Sequence, residues 1–472
     1  MEPETQNAEL RILNSELNSS LVPVKRLGEV GVADRERILR RAHGGFADVL
    51  PVIEGVMDAV AARGDAALRE FTARFDGVEL DNFRVSEAEF AAARAEASPA
   101  LLEAMAQAAR NITAFHSTHI GHDKPVTPQE GVRLWRVWRP IQRVGLYTPG
   151  GKAAYPSSVL MNALPAQIAG CKEIVLCTPP NKAGGVSPAI LVAADLLGVR
   201  QVFKLGGSQA IAALAYGTET VPRVSKLFGA GNRWVTAAKL VAASRGLAAI
   251  DLPAGPTELL LISDESAPPA FLAADMIAQA EHAEDSASVL LTTSERVAIA
   301  VLAELQRQLA PLPTRAMVEE SLRRYGLIAL VENLDQAVAF SNEYAPEHLG
   351  IMTTDPHAVL AGITNAGSVF LGPWSAQPAG DYAAGTNHVL PTGGFAAMYG
   401  PLSTESFGRK LQVQELSETG LAGLRQAVGT LAMSEGLPGH RAAIEARFEQ
   451  GTQPIDHRAR SANGEGEEQA NA

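Results

Sequence analysis

Residues Val202–Gly217 read VFKLGGSQAIAALAYG, a short β-rich run, two glycines, and then apolar residues at helical spacing. A strand that turns on glycine into a helix is half of a βαβ unit, in which helices cover a parallel sheet. The same alternation extends in both directions. EIVLCT (173–178) precedes this stretch, and SVLLTT (288–293), LIALVE (327–332), LGIMTT (349–354) and SVFLG (368–372) follow it. Between the strands, RWVTAAKLVAAS (233–244), FLAADMIAQAEH (271–282) and ERVAIAVLAELQRQLA (295–310) read as helices. The chain is therefore expected to be α/β. Residues 46–114 are helical by spacing, and a second helical section follows Pro401 with GLAGLRQAVGTLAMSEG and HRAAIEARF. The first ~45 residues are polar and mixed, as an arm would be, and the final SANGEGEEQANA has a disordered composition.

Composition narrows the function classes. The 472 residues carry 40 basic and 52 acidic side chains, a net charge of -12. That balance argues against nucleic acid or anionic lipid as the main partner. Met1–Ser20 lacks the basic start and apolar run of a signal peptide, and no stretch approaches the ~18 apolar residues of a membrane span. Two cysteines, Cys171 and Cys177, cannot staple a secreted scaffold and read as buried thiols in a reducing compartment. A cytoplasmic protein is expected.

Three glycine-rich loops lie within ~90 residues: Pro149–Met161, Lys204–Gly217 and Lys226–Lys239. Backbone N–H groups at such helix starts suit a phosphate or carboxylate, although tight turns in an α/β sheet explain each loop taken alone. Gly229-Ala230-Gly231 begins a dinucleotide fingerprint that Trp234 breaks. Among ten histidines, His282, His348, His388 and His440 sit in polar, turn-flanked contexts. In AQAEH, Gln279 and His282 are three apart on the expected helix and share a face. In GDYAAGTNH, Asp381 and His388 flank a small-residue loop. A carboxylate, two imidazoles and an amide oxygen would suit Zn²⁺. The adjacent Glu347-His348 in NEYAPEHLG precedes a strand, and the pair is suited to two proton transfers near one carbon. A capping Glu beside a hydrogen-bonded His is the plainer alternative. His116, His119 and His122 (HSTHIGH) lack an acidic partner and read as a solvated helix end or loop.

Together these segments resemble the histidinol dehydrogenase family from about residue 25 to residue 448. RVGLYTPGGKAAYPSSVLMNALPAQIAG, GGSQAIAALAYGT, GNRWVTAAK and DLPAGPTELL contribute to the likeness; AQAEH, NEYAPEHL and GDYAAGTNHVLPTGG, in that order, carry most of it. The resemblance implies a zinc-dependent, four-electron oxidation of L-histidinol to L-histidine through bound L-histidinal, using two NAD⁺. It implies Gln279, His282, Asp381 and His440 as zinc ligands and Glu347 and His348 as proton-transfer residues. Thr257, His388 and Glu435 would contact substrate, which also meets the ligand residues and His348; Tyr147, Gln209 and Asn232 would contact NAD⁺. It further implies an intertwined homodimer with shared active sites, in which Glu435 and His440 serve the partner's site.

The expected organisation is two Rossmann-like parallel-sheet domains with an N-terminal arm and a helical C-terminal section. The arm is 1–45. A discontinuous α/β domain of 46–146 and 257–402 carries the metal and catalytic residues, and 147–256 forms the NAD domain. The helical section is 403–460, and 461–472 is a disordered tail. Ala230 stands where the family commonly has proline, and Thr257 where serine is commonest. Relatives that oxidise other polar alcohols, such as sulfonated diols, share the framework, but an acid at Glu435 would repel a sulfonate. A zinc hydrolase would leave the glycine loops without purpose, and a non-catalytic binder would leave the Glu-His pair without one.

Overall fold

In the computed structural model, the described residues are 21–42, 45–121, 123–150 and 154–449. The outermost arm, the C-terminal tail, His122 and Gly151–Ala153 of the first glycine loop lie outside them. The strands, in chain order, are β1 (Val24–Arg26), β2 (Val126–Gln129), β3 (Val132–Pro140), β4 (Arg143–Tyr147), β5 (Glu173–Thr178), β6 (Gln201–Lys204), β7 (Lys226–Phe228), β8 (Ala249–Ile250), β9 (Glu258–Ser263), β10 (Ala287–Thr292), β11 (Gly326–Leu330), β12 (His348–Met352), β13 (Ser368–Leu371) and β14 (Gly408–Leu416). Two compact units result. One takes the described residues up to Gly121 and from Pro140 to Arg409; the other takes the described residues between these, through Arg139, and those from Lys410 onward.

The larger unit holds two parallel sheets, as the strand–helix alternation requires. One runs β1-β11-β10-β9-β12-β13 and the other β6-β5-β4-β7-β8. Leaving β1 aside, both have the order 3-2-1-4-5, with a switch point between the first and fourth strands. β9, β10, β11 and β12 are buried along their whole length, which is why they read as continuous apolar runs without alternation. Residues 24–26 of the segment read as an arm pair with β11 as an edge strand.

Three local features differ from those expected of the sequence. The helix containing Gln279 is Pro269–Ala280 and stops before His282, whose N–H still reaches the Gln279 carbonyl at 3.4 Å. The section after Pro401 is not helical throughout: between a single 3-10 turn at Thr404–Phe407 and the helices Glu418–Ser434 and Pro438–Glu449 it is a strand, in which β14 pairs with β3, and β3 with β2. Its polar, mostly exposed strand lacks the apolar run that marks the buried ones. His116 is fully buried, against the solvated position expected, with its ring edge-on to Phe115 and His119. Among the described residues, no helix is long and apolar enough to cross a membrane.

Glycine is required where β7 ends. Gly229 has φ +104°, and a Cβ there would meet the Tyr147 carbonyl oxygen at 2.1 Å. Gly229→Ala is expected to cost at least about 1–3 kcal/mol, since both the dihedral and the contact oppose a side chain. Denaturant unfolding measures this, and an unchanged midpoint would contradict it.

Candidate active site

Two features of the larger unit bring functional groups together. The first is a cavity of about 800 Å³ at the carboxyl ends of β4, β5, β6 and β7, where open α/β sheets take their ligands. Tyr147, Gln209 and Asn232 all line it. Tyr147 ends β4, and its hydroxyl accepts a hydrogen bond from the Gly207 N–H at 3.1 Å. Asn232 caps the helix Arg233–Ser244 by accepting from the Trp234 and Val235 N–H groups. Gln209 donates to Asp76 Oδ2 at 3.0 Å, while its buried Oε1 lacks a partner. Burial pushes the Asp76 carboxyl up to about 6, against the pull of Gln209 and Lys182.

The turn carrying Asn232 is tied down from beneath. Asp251 accepts from the Gly229 N–H at 2.8 Å and pairs with Lys239, which also donates to the Gly229 carbonyl at 3.0 Å. Both charged side chains are almost fully buried.

The second feature lies at the amino ends of β9 and β12. Glu347 immediately precedes β12 and His348 begins it, with His348 paired in register to Leu259. His348 Nδ1 faces the Glu258 carbonyl at 3.0 Å. A carbonyl only accepts, so Nδ1 carries a hydrogen. Nε2 is buried without a closer hydrogen-bond partner and lies 3.5 Å from Asp381 Oδ1, at the outer limit of a hydrogen bond. Glu347 Oε2 accepts from the Thr257 hydroxyl at 2.5 Å and the Glu258 N–H at 2.9 Å.

The same neighbours set the titration of the pair. Burial raises the Glu347 carboxyl to about 7, against His348, the Thr257 hydroxyl and the Glu258 N–H. Burial lowers the His348 imidazole, but Glu347, Asp381 and the Glu258 carbonyl outweigh it and carry it up to about 9. Of the two, His348 holds a proton more strongly. Burial raises Asp381 as well, yet His348, His388 and His282 hold it below its ordinary value.

Gln279 and Asp381 converge through a residue that sequence reasoning missed. Buried Gln377 donates from Nε2 to Gln279 Oε1 at 2.9 Å and to Asp381 Oδ2 at 3.2 Å. Gln279 in turn donates to the Thr257 hydroxyl at 3.0 Å. His282 lies just past the helix end. Its pKa is lowered by burial and by His348 and His388, against Asp381. His388 faces the Asp381 carbonyl through Nδ1 at 2.7 Å and Ser158 through Nε2 at 3.1 Å. Ala154, four residues before Ser158, lines the cavity, so the entry to the helix Pro156–Ala169 spans from cavity to cluster. Among the described residues no three of His, Cys, Asp and Glu gather as a metal group; the set here is one imidazole, one carboxylate and one amide. Glu435 and His440 belong to the smaller unit, where both are exposed.

The histidinol dehydrogenase family profile matches residues 39–448. The chain belongs to the histidinol dehydrogenase family. It is thereby an NAD-dependent dehydrogenase. Histidinol dehydrogenase of Xanthomonas euvesicatoria pv. vesicatoria is 49% identical over 418 residues, covering 89% of this chain and 97% of that one. The Methanosarcina mazei protein of the same name is 47% identical over 429 residues, covering 90% and 97%. The crystal structure of histidinol dehydrogenase from Elizabethkingia anophelis aligns with a TM-score of 0.86 at 39% identity, over 90% of this chain and 97% of that one.

Lys239→Met leaves Asp251 as a buried charge without its partner and is expected to cost about 3–5 kcal/mol. Equilibrium unfolding reads the loss; a variant as stable as the parent would show that the pair does not hold the Gly229 turn.

Proposed function

We propose that this chain oxidises L-histidinol to L-histidine in four electrons through bound L-histidinal, with two NAD⁺ and a zinc ion. The observation that carries the reading is His348 Nε2, buried without a closer partner beside Asp381 while Nδ1 is anchored to the Glu258 carbonyl. A tautomer fixed in this way presents one nitrogen for proton transfer.

The donor set suits zinc. Gln279 Oε1 and Asp381 Oδ2 both contact the Gln377 amide, and the charge of Asp381 is felt at His282, so a borderline N/O set converges within one chain. His440 is the proposed fourth ligand, supplied by the second subunit of a homodimer, and Glu435 is proposed to meet substrate in the same way. Zinc would bind the imidazole and amine of histidinol and hold its carbinol carbon in place. NAD⁺, in the cavity lined by Tyr147, Gln209 and Asn232, would accept hydride.

The chain's own residues perform the proton work on this reading. In its neutral form, which its raised pKa makes the larger share only above about pH 9, His348 takes the hydroxyl proton on Nε2 as hydride leaves the carbon. Glu347, whose raised pKa suits it to exchange protons near neutrality, then removes a proton from the water that adds to the aldehyde. The second hydride leaves from the hydrated aldehyde and yields the carboxylate. Thr257 keeps Glu347 and Gln279 in register and lies against the substrate with His388. Two free cysteines and the acidic composition support a cytoplasmic location. Relatives named histidinol dehydrogenase do not favour a sulfonated diol or another polar alcohol as substrate.

The test is NADH formed per L-histidinol consumed at completion. Two NADH per histidinol, lost on chelation and regained with zinc, is the expected result. No turnover alongside intact NAD⁺ binding would refute the substrate. His348→Ala should abolish turnover while substrate still binds. His440→Ala should lower zinc content measured by metal analysis, and full retention of zinc would remove it from the ligand set.

A further inference from the structure

Among the described residues, only two non-glycine residues have left-handed φ: Arg41 at 53° and Ala345 at 45°. They are 304 positions apart in the chain, yet both adjoin one buried charge cluster. Strained backbone of this kind persists only where its surroundings over-determine it, and it collects at working sites.

The centre of the cluster is Glu258. Its carboxylate pairs with Arg41 at 3.3 Å, and the two side chains are 1% and 2% exposed. The carboxylate also accepts from the Gly393 N–H at 2.9 Å and the Glu347 N–H at 3.3 Å. The backbone of the same residue holds the other ends of the pair, its N–H on Glu347 Oε2 and its carbonyl on His348 Nδ1. One residue thus grips the Glu347-His348 dipeptide at three points. Arg41 secures the chain that leads into the dipeptide. Its guanidinium stacks on the Tyr344 ring, 3.6 Å from the centroid, and donates to the Tyr344 carbonyl just before Ala345 and Pro346.

A buried ion pair is weak evidence for stability, because desolvation offsets most of the attraction. It is better evidence for a fixed geometry. We infer that Arg41 and Glu258 are positioning residues for Glu347 and His348: Glu258 sets the angle at which both side chains are presented, and Arg41 locks Glu258 and the 344–347 turn against it. The inference rests on the role proposed for Glu347 and His348 above. Neither residue need touch substrate, so disturbing them should slow turnover without weakening binding.

The test uses full-length, zinc-loaded Arg41→Lys, Glu258→Gln and the double variant Arg41→Met/Glu258→Gln, with His348→Ala as control. Lysine keeps the charge facing Glu258 but cannot both stack on Tyr344 and reach its carbonyl. Glutamine keeps an oxygen for the Gly393 and Glu347 N–H groups but leaves Arg41 unpaired. Arg41→Lys and Glu258→Gln should each lower kcat about 10–100-fold, the size of effect a displacement of about 1 Å at reacting groups produces. The KM for histidinol and for NAD⁺ and the zinc content should stay near parental values. The double variant, with no unpaired buried charge, should regain the Tm lost by Glu258→Gln but not its kcat. Parental kcat in Arg41→Lys and Glu258→Gln, or kcat that returns with Tm in the double variant, would overturn the inference. If the Glu258 variants fail to fold, Arg41→Lys decides alone. Undiminished turnover in His348→Ala would instead refute the reading of the pair itself, which separates the two failures.

Discussion

The candidate site depends on one strand pairing. β12 lies parallel to β9 with His348 opposite Leu259, so Glu347 arrives beside Glu258 at the switch point of the sheet. A shift of one residue would turn every side chain on β12 to the other face. Size-matched packing opposes that slip: Gly350 lies opposite Leu261, where a side chain's Cβ would come within 2.4 Å of a leucine methyl. The polar groups at the strand starts are thereby held by the packing of the apolar residues behind them. Thr257, Glu258, Glu347 and His348 can share hydrogen bonds only in this register.

The two sheets repeat one strand order but use opposite ends. The β4–β8 sheet opens its cavity at the carboxyl ends of the strands, where glycine turns expose backbone N–H groups at helix starts. The β9–β13 sheet gathers its ionisable groups at the amino ends. Helices that follow parallel strands run back along the sheet, so the last turn of Pro269–Ala280 brings Gln279 to the amino ends as well. The helix entry from Ala154 to Ser158 joins the two features, since Ser158 meets His388. This juxtaposition suits a proposed chemistry in which one sheet holds the hydride acceptor and the other the proton acceptors.

Much of this was legible in the chain. Apolar runs between glycine turns identified the parallel sheets, because strands buried on both faces need uninterrupted hydrophobicity. Tyr147, Gln209 and Asn232 belong to or follow strand ends and meet around one cavity. Glu347-His348, AQAEH and GDYAAGTNH stood out because polar, ionisable groups interrupted apolar surroundings. Other parts were hidden. Gln377, Ser158 and Asp76 carry no local pattern, since their partners are 98, 230 and 133 positions away. Arg41 sits in a polar segment that composition alone marks as an arm, while His116 lies in a stretch that its histidines and glycine make look solvated.

The sequence by itself determined the α/β class, the family and the residue types available for proton transfer and metal binding, because hydrophobic period and short motifs are local properties of the chain. Only the tertiary structure decided which nitrogen of His348 is anchored, which amide draws Gln279 and Asp381 together, and that Arg41 and Glu258 are buried against each other. Those outcomes depend on burial and on hydrogen bonds between residues brought together by sheet register, and register is set by the packing of the whole sheet.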